Sequence, residues 1–284
     1  MRSHRGRAPV SLSLGKRMRS FGRSTVRLLW VAATVAALAA VPSAYGRLGG
    51  SVPAQVQAAL DAAFAAATPG SDRPSAQPPP NIDDGRSRVT ARWRHVFEAF
   101  AVADRDHPPA AGGVVVVGSS SISLWGNLEQ QFAPRQMVRR GLAGARMTDI
   151  ARHADRLILP YRPSLVIVYA GDNDIAEKVQ PEMVLAAYAD LVRQVRRALP
   201  GVRIAFISIK PSPSRALLMP AFERANGLIA AFSTGDERLD YIDVYSRMLD
   251  VDGQPRPELF AADSLHMNRA GYALWRSELA SHLP

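Results

Sequence analysis

The sequence of 284 residues contains no cysteine. Disulfide bonds, cysteine-ligated zinc and a cysteine nucleophile are therefore excluded, although an oxidising compartment is not, because proteins there do not require disulfides. Acidic residues are absent from positions 1–27, and the lysines and arginines of this segment supply +8 of the formal net charge of +10. The rest of the chain is close to neutral. We interpret the basic segment as a targeting feature; a basic tail that binds nucleic acid is the alternative.

An apolar run, LLWVAATVAALAAV at residues 28–41, follows the basic segment directly, and small residues come after it. This order is typical of a secretory signal, but no clear Ala-x-Ala cleavage site follows. Residues 28–46 are also uncharged over a length that can cross a bilayer. Residues 1–46 are therefore predicted to be a signal peptide or a retained membrane anchor. Either one predicts an exported protein, periplasmic or extracellular, with a tether to the inner membrane in the second case.

Composition divides the rest of the chain into two further regions. Residues 47–88 contain an alanine-rich stretch and then a proline-rich stretch, which predict a short helix and a linker. Residues 89–284 are predicted to be the folded domain, long enough for one sizeable core. Its first segment is amphipathic, with these residues on one helical face: Trp93, Val96, Phe97, Phe100 and Ala101.

Short apolar segments alternate with helical patterns throughout this domain. Strands are predicted at 113–118, 136–142, 164–170, 202–209 and 239–245, the last with the alternating polarity of an edge strand. Helices are predicted at 146–158, 181–199, 215–232 and 268–281. Alternation of this kind predicts a parallel sheet with helices on both faces. Reactive residues are then expected at the carboxyl ends of the strands.

Polar residues follow the first and third predicted strands. Ser119, Ser120 and Ser121 come directly after Gly118, where a tight strand-to-helix turn would expose a hydroxyl beside free backbone N–H groups. A helix cap made of serines is the alternative. The third strand leads into residues 171–174, Gly-Asp-Asn-Asp. This run is either a turn with a cap or the site of an amide that donates to an oxyanion.

A carboxylate and an imidazole, Asp263 and His266, precede the last predicted helix. At this spacing the carboxylate can bond to Nδ1, which leaves Nε2 free to take a proton from a hydroxyl. A surface or capping histidine is the alternative.

These residues resemble the catalytic blocks of the SGNH/GDSL hydrolase family. The run 118–120 is similar to the Gly-Asp-Ser block, with Ser119 in place of the usual aspartate. The run 140–144, Arg-Gly-Leu-Ala-Gly, is similar to the second block, with Gly144 as the oxyanion glycine and Gly141 as the alternative.

The two remaining blocks resemble the family more closely. Gly171, Asn173 and Asp174 match its Gly-x-Asn-Asp block in full, and Asp263 and His266 match its Asp-x-x-His block. The resemblance extends from about residue 113 to the last residue. The lipase-type elbow Gly-x-Ser-x-Gly is not matched, so the ordinary α/β-hydrolase fold is not implied.

The resemblance implies a three-layer α/β/α, flavodoxin-like sandwich with a five-stranded parallel sheet. It also implies a serine esterase, with Ser120 as nucleophile, His266 as base and Asp263 as the residue that orients the imidazole. The oxyanion hole would consist of the backbone N–H groups of Ser120 and Gly144 and the side chain of Asn173.

The expected substrate is a small-molecule, glycan or lipid ester, with short-chain acyl or O-acetyl esters favoured. Lysophospholipase or lipase-like activity, a catalytically silent binding module on the same fold and a membrane-tethered structural protein are the alternatives. No cofactor, metal or nucleic-acid partner is expected, and the oligomeric state is left open. The run 250–253, Asp-Val-Asp-Gly, lacks the rest of a calcium-binding loop and is interpreted as a turn.

The run 208–215, Ser-Ile-Lys-Pro-Ser-Pro-Ser-Arg, is similar to a run in bacterial members of the family, but no role follows from that similarity. Lys210 or Arg215 could contact an anionic substrate. Solvated surface charge is the interpretation that we favour for both, because such side chains are seldom fully buried.

Overall fold

The computed structural model describes residues 91–284 and, before them, Ala58 alone. The predicted signal or anchor at 1–46 therefore lies outside the described residues, as do the linker at 47–88 (except Ala58, which is helical) and the first two residues of the predicted domain. Within 91–284 no helix is both long enough and apolar enough to cross a membrane.

Five parallel strands form a single sheet in the order β2-β1-β3-β4-β5. They are β1 (Val114–Gly118), β2 (Met137–Gly141), β3 (Leu165–Tyr169), β4 (Arg203–Ile207) and β5 (Leu239–Ile242). Every residue of β1 and β3 is buried. Because both faces of these strands are covered, their sequences are continuous apolar runs rather than alternating ones. The predicted five-stranded parallel sheet is confirmed, with β5 at an edge.

Helices cover both faces of the sheet. They are α1 (Arg94–Asp106), α2 (Ser120–Ser123), α3 (Leu128–Gln131), α4 (Met147–Arg152), α5 (Ala154–Leu157), α6 (Asp172–Ala176), α7 (Pro181–Ala198), α8 (Met219–Ser233) and α9 (Arg269–Ala280). Alternate residues of β1 enter two separate cores: Val115 packs with α1, α4, α7 and α8, and Val116 packs with α2, α3 and α9. The predicted α/β/α layering is therefore confirmed.

Some predicted helices differ from the observed ones. The helix predicted at 146–158 is divided at His153, whose ψ of 19° is not helical. The helix predicted at 215–232 begins as a 3-10 helix, Pro213–Leu218, and becomes α8 only at Met219. In α1, Phe97 is buried as predicted but Ala101 is exposed.

The strands β4 and β5 end earlier than predicted, because the chain turns away from the sheet after each of them. The Ser208 hydroxyl accepts hydrogen bonds from the N–H groups of Val244 and Tyr245, at 2.9 and 2.8 Å. These bonds join the segments that follow the two strands.

The sheet order places β1 between β2 and β3. From β1 the chain passes to β2 on one side and then crosses to β3 on the other. Such a reversal of direction opens a crevice at the carboxyl ends of the strands, where ligands bind in open α/β sheets. Ser120 follows β1 directly and therefore lies at this point.

Candidate active site

Ser120 is the first residue of α2, and Ser119 is its N-terminal flanking residue. The short helix is fixed to the core by Ile122 and by Trp125, the latter just beyond its end, and both side chains are fully buried. Ser119 and Ser121 are buried as well, whereas Ser120 is partly exposed. Of the three neighbouring serine hydroxyls, that of Ser120 therefore reaches the surface.

His266 lies between Ser120 and Asp263. Its Nε2 is 3.1 Å from Ser120 Oγ, and its Nδ1 is 2.6 Å from Asp263 Oδ2. An ionised carboxylate can only accept hydrogen bonds, so Nδ1 must carry the proton that lies between the two groups. Nε2 of the neutral ring is then an acceptor, and it faces the serine hydroxyl. The structure thus brings together the three residues that the sequence had placed in one site.

A tight turn sets the geometry of the Asp263–His266 pair. Asp263 Oδ1 accepts the N–H groups of Leu265, at 3.0 Å, and of His266, at 2.9 Å. The chain reverses at Ser264, which has a φ of 56°. These backbone N–H groups, together with the His266 side chain, hold the pKa of Asp263 well below its usual range. The carboxylate therefore stays ionised throughout the neutral pH range.

The turn is also fixed to the helix that follows it. Asn268 caps α9 by accepting the N–H groups of Ala270 and Gly271. Its amide nitrogen donates to the carbonyl oxygens of Glu258 and Phe260, at 2.8 and 2.9 Å. His266 is thereby held two residues before a capped helix.

Asn173 lies in α6, which follows β3. This strand is the neighbour of β1, the strand that leads to Ser120. Gly171 precedes this helix with a φ of 120°, and a Cβ there would lie 2.5 Å from the Ile209 side chain. Both facts require glycine at this position. Asn173 Nδ2 donates to Ala145 O at 3.1 Å. This bond joins the third predicted block to the loop of the second.

The loop of the second block contains both candidate oxyanion glycines. Gly144 has a φ of 72° and immediately precedes Ala145, the acceptor of the Asn173 bond. Gly141 ends β2, and a Cβ there would lie 2.2 Å from Ser123 N. Close packing against α2 is therefore sufficient to explain glycine at 141, whereas Gly144 lies in the loop that reaches Asn173.

Asp174 holds the helix that follows this loop. Its two carboxylate oxygens lie 3.2 and 3.0 Å from the N–H group of Met147, the first residue of α4. The side chain is buried, and burial raises the pKa of Asp174 to about 7. The sequence had identified Asp174 as part of a motif, but it had given the residue no contact.

Lys210 and Arg215 are not solvated surface charges, and the prediction that they are was wrong. The Lys210 side chain is 1% exposed and that of Arg215 is 17% exposed. Both lie beside the buried carboxylate of Asp172, with Lys210 Nζ at 3.7 Å and Arg215 Nη1 at 3.2 Å from Oδ2. Burial lowers the pKa of Lys210, and the nearby Asp172 opposes that change. The side chains are buried because the segment folds over the carboxyl ends of the strands.

The hydrogen bond that Trp93 makes near the site was not predicted from the sequence. Trp93 had been predicted only as part of an apolar helix face, and it is indeed 3% exposed. Its indole N–H donates to Ala143 O at 3.1 Å, one residue before Gly144. The beginning of α1 is therefore fixed to the predicted oxyanion loop. A tryptophan in an amphipathic pattern gives no signal of such a bond, because the indole N–H can find many acceptors.

The chemistry available here is that of an activated hydroxyl beside amide donors. Within 91–284, no cluster of histidine and acidic side chains has the arrangement of a metal site. The run 250–253 is a turn, in which Asp250 Oδ1 accepts the N–H groups of Asp252 and Gln254.

Solved structures similar to this chain include a protein described as a platelet activating factor from Streptococcus pneumoniae. The identity is 18%, 72% of this chain and 98% of the other are covered, and the TM-score is 0.61. A GDSL-like lipase from Bacteroides thetaiotaomicron has 16% identity, coverage of 66% and 96%, and a TM-score of 0.55. A mutant of an acetyl-xylooligosaccharide esterase from Geobacillus has 15% identity, coverage of 61% and 94%, and a TM-score of 0.50. At these identities the likeness shows the fold.

No curated protein matches the sequence. The model of the GDSL-like Lipase/Acylhydrolase family matches residues 116–274, which is more than half of the chain and includes Ser120, Asn173, Asp263 and His266. The chain therefore belongs to the GDSL-like lipase/acylhydrolase family and is a carboxylic ester hydrolase.

Proposed function

We propose that this hydrolase is a serine esterase in which Ser120 is the nucleophile, His266 the general base and Asp263 the residue that orients the imidazole. The observation that carries the proposal is the position of His266, with Nε2 3.1 Å from the serine hydroxyl and Nδ1 2.6 Å from an ionised carboxylate. A serine is activated when it is hydrogen-bonded to a base and the base is hydrogen-bonded in turn to an orienting group.

Catalysis would proceed in two steps. Ser120 Oγ attacks the ester carbonyl while His266 takes its proton, and His266 then returns the proton to the leaving alcohol. Water attacks the acyl-enzyme in the second step, with His266 again as base. The oxyanion would be held by the backbone N–H groups of Ser120 and Gly144 and by the amide of Asn173. The Asn173–Ala145 bond supports Gly144 as the glycine of this set.

The test is hydrolysis of p-nitrophenyl acetate by the wild type and by Ser120→Ala. Activity is expected to disappear in this variant and to persist in Ser164→Ala, a matched control that directly precedes β3, at the amino ends of the strands and away from the site. A fluorophosphonate probe should label the wild type and not Ser120→Ala. A wild type that neither hydrolyses esters nor reacts with the probe would instead favour the silent binding module.

For the substrate, we propose short-chain O-acyl esters on a carbohydrate. The side chains of Asp263 and His266 are 49% and 29% exposed, so the site is open to an extended chain rather than closed around a small molecule. The fold is shared with an acetyl-xylooligosaccharide esterase. Release of acetate from acetylated xylooligosaccharides, compared with release from p-nitrophenyl acetate, tests the proposal. Activity confined to the small ester would reject it.

Esters of longer acyl chains are the second candidate, because two leucines are exposed on segments near the site. Leu124 follows α2 directly and is 54% exposed, and Leu217 lies in the 3-10 helix after Arg215 and is 97% exposed. A series of p-nitrophenyl esters of increasing acyl length separates the candidates. A maximum at eight or more carbons that falls in Leu217→Ser would favour a lipid substrate.

We also propose that the protein is exported by residues 1–46. The support is the basic segment followed by an uncharged apolar run. Cell fractionation of the full chain tests this: a soluble protein shortened by about 46 residues indicates a cleaved signal, and a full-length membrane-bound protein indicates an anchor. Full-length soluble protein in the cytoplasm would reject both.

A further inference from the structure

The segment 208–215 contacts both sides of the site. The N–H group of Ser214 donates to Ser264 O, at 3.0 Å, in the turn that carries Asp263 and His266. One residue later, Arg215 Nη2 donates to Asn173 Oδ1 at 3.1 Å. The segment therefore joins the histidine turn to the amide that would hold the oxyanion.

The two contacts of Asn173 fix which way its amide points. A guanidinium can only donate, so the amide atom that faces Arg215 must be the oxygen. The carbonyl of Ala145 can only accept, so the atom that faces it must be the nitrogen. Rotating the amide by half a turn would place oxygen against oxygen and N–H against N–H. In the observed orientation, the Ala145 bond uses one of the two N–H bonds of Nδ2 and the other is left for a substrate oxygen.

The guanidinium of Arg215 is itself held in place. Its Nη1 lies 3.2 Å from Asp172 Oδ2, while its Nη2 bonds to Asn173, the next residue in the chain. Lys210 contacts the same carboxylate oxygen from a fully buried position. The planar fork of arginine places one nitrogen in a hydrogen bond to Asn173 and the other in an ion pair with Asp172, which the single ammonium group of a lysine cannot do with the same geometry.

We propose that Arg215 is a positioning residue for the oxyanion amide: it holds Asn173 in the orientation that offers an N–H bond to the substrate, and Asp172 and Lys210 hold Arg215. The proposal rests on the proposed esterase function, in which Asn173 is an oxyanion donor. Arg215 acts through Asn173 and does not itself bind an anionic part of the substrate.

The test is a double-mutant cycle of Arg215→Met and Asn173→Ala, with kcat and KM measured on p-nitrophenyl acetate. Asn173→Ala is expected to lower kcat by about 10²–10³, the usual loss for one oxyanion donor. Arg215→Met is expected to lower kcat by about tenfold or more, but by no more than Asn173→Ala does, with KM nearly unchanged. Because the two residues act as a unit, Arg215→Met should change kcat by less than about twofold in the Asn173→Ala background.

Two further variants separate positioning from a general effect on folding. Arg215→Lys keeps a positive charge and one donor direction, so it should recover part of the lost kcat. Arg224→Met is the control on the adjacent helix α8. Arg224 forms an exposed ion pair with Glu182, so its replacement should leave kcat unchanged. If Arg215→Met does not yield folded protein, Arg215→Lys takes its place in the cycle.

Three outcomes would overturn the proposal. Unchanged kcat in Arg215→Met is one, and a loss that adds fully to that of Asn173→Ala is another. The third is a rise in KM confined to an anionic ester such as p-nitrophenyl hemisuccinate, which would indicate direct substrate contact. Failure of the esterase proposal is distinguishable from these outcomes, because either the wild type would then be inactive or Ser120→Ala would retain full activity.

Discussion

The two sides of the site differ in how they are built. On the histidine side, Asp263 and His266 lie in an exposed turn and are positioned mainly by hydrogen bonds within that turn. On the amide side, Asn173 is positioned by charged groups from two separate segments, namely the buried Asp172 and the pair of the buried Lys210 and the partly buried Arg215. The exposed side can be altered with little effect on folding, whereas the buried side contributes to activity and stability together.

The same difference appears in two carboxyl groups. Hydrogen bonds from two N–H groups and from His266 lower the pKa of the exposed Asp263. Burial raises the pKa of Asp174 to about 7, although Met147 donates to it. An exposed carboxylate keeps its hydration while it gains hydrogen bonds, and a buried one loses hydration that a single N–H group does not replace.

The largest expected effect is a loss of activity without a loss of stability on the exposed histidine side of the site. His266→Ala should lower kcat/KM by about 10²–10⁴, the usual contribution of a general base. Its thermal stability should remain within about 0.5 kcal/mol of the wild type, since the ring is partly exposed. Ester hydrolysis and thermal unfolding of the same preparation check both parts. A large loss of stability would mean that the turn is not independent of the core.

On the buried side, Asp172→Asn should destabilise the protein by about 3–5 kcal/mol, because the buried Lys210 and the partly buried Arg215 lose their counter-charge. Lys210→Met should cost less than about 1 kcal/mol, because Asp172 keeps Arg215 and no charge is left uncompensated. Denaturant unfolding of the two variants provides the comparison. Equal losses in the two variants would contradict this prediction, because the loss of Lys210 would then cost as much as the loss of the shared carboxylate.

The pH dependence of stability tests Asp174. The folded pKa of Asp174, about 7, lies above the ordinary aspartate value of 3.8, so the folded state keeps this proton between about pH 4 and 7 while the unfolded state loses it. The stabilising contribution is therefore complete below about pH 4 and is lost as the pH rises to about 7, on the order of 4 kcal/mol over the window. Asp174→Asn should lack this slope. If unfolding free energies of wild type and variant change in parallel from pH 4 to 8, Asp174 is ionised in the folded protein.

The smallest expected effect concerns the bond between Trp93 and the oxyanion loop. Trp93→Phe removes one hydrogen bond to Ala143 O and should destabilise the protein by about 1 kcal/mol. It should also lower kcat, but by less than Asn173→Ala, because the loop before Gly144 loses one restraint. Ser233→Ala, which removes the buried hydrogen bond from Ser233 Oγ to Ile229 O at the end of α8, is the matched control and should lose stability without loss of kcat. An identical kcat in the two variants would show that the Trp93 bond is purely structural.

Much of the fold followed from local patterns. The continuous apolar runs of β1 and β3 identified buried parallel strands, and the helix predicted at 268–281 is observed as α9. Prediction failed where the chain leaves regular structure near the site. The helix expected at 146–158 is interrupted at His153, whose Nδ1 lies 2.9 Å from Asp149 O. Periodicity does not detect such an interruption, because the apolar spacing continues through it.

The site was predicted by residue type and chain order, but its supporting contacts were not. Ser120 and Asn173 follow predicted strands, and Asp263 and His266 lie three residues apart before the last predicted helix. Side chains of these types in these places suggest chemistry. Arg215 and Trp93 carry no such signal, since most arginines are exposed and most tryptophans are simply buried. Their contacts are with residues 42 and 50 positions away in the chain.

The sequence by itself determined the order of strands and helices, the absence of cysteine chemistry and the residues of the candidate site. The tertiary structure alone decided that Lys210 is buried and Arg215 partly buried beside Asp172, and that Arg215 contacts the amide of Asn173. The physical reason is that burial and charge pairing depend on which segments meet at the carboxyl ends of the strands. No short stretch of sequence contains that information, because the charges that compensate each other belong to segments joined only by the folded sheet.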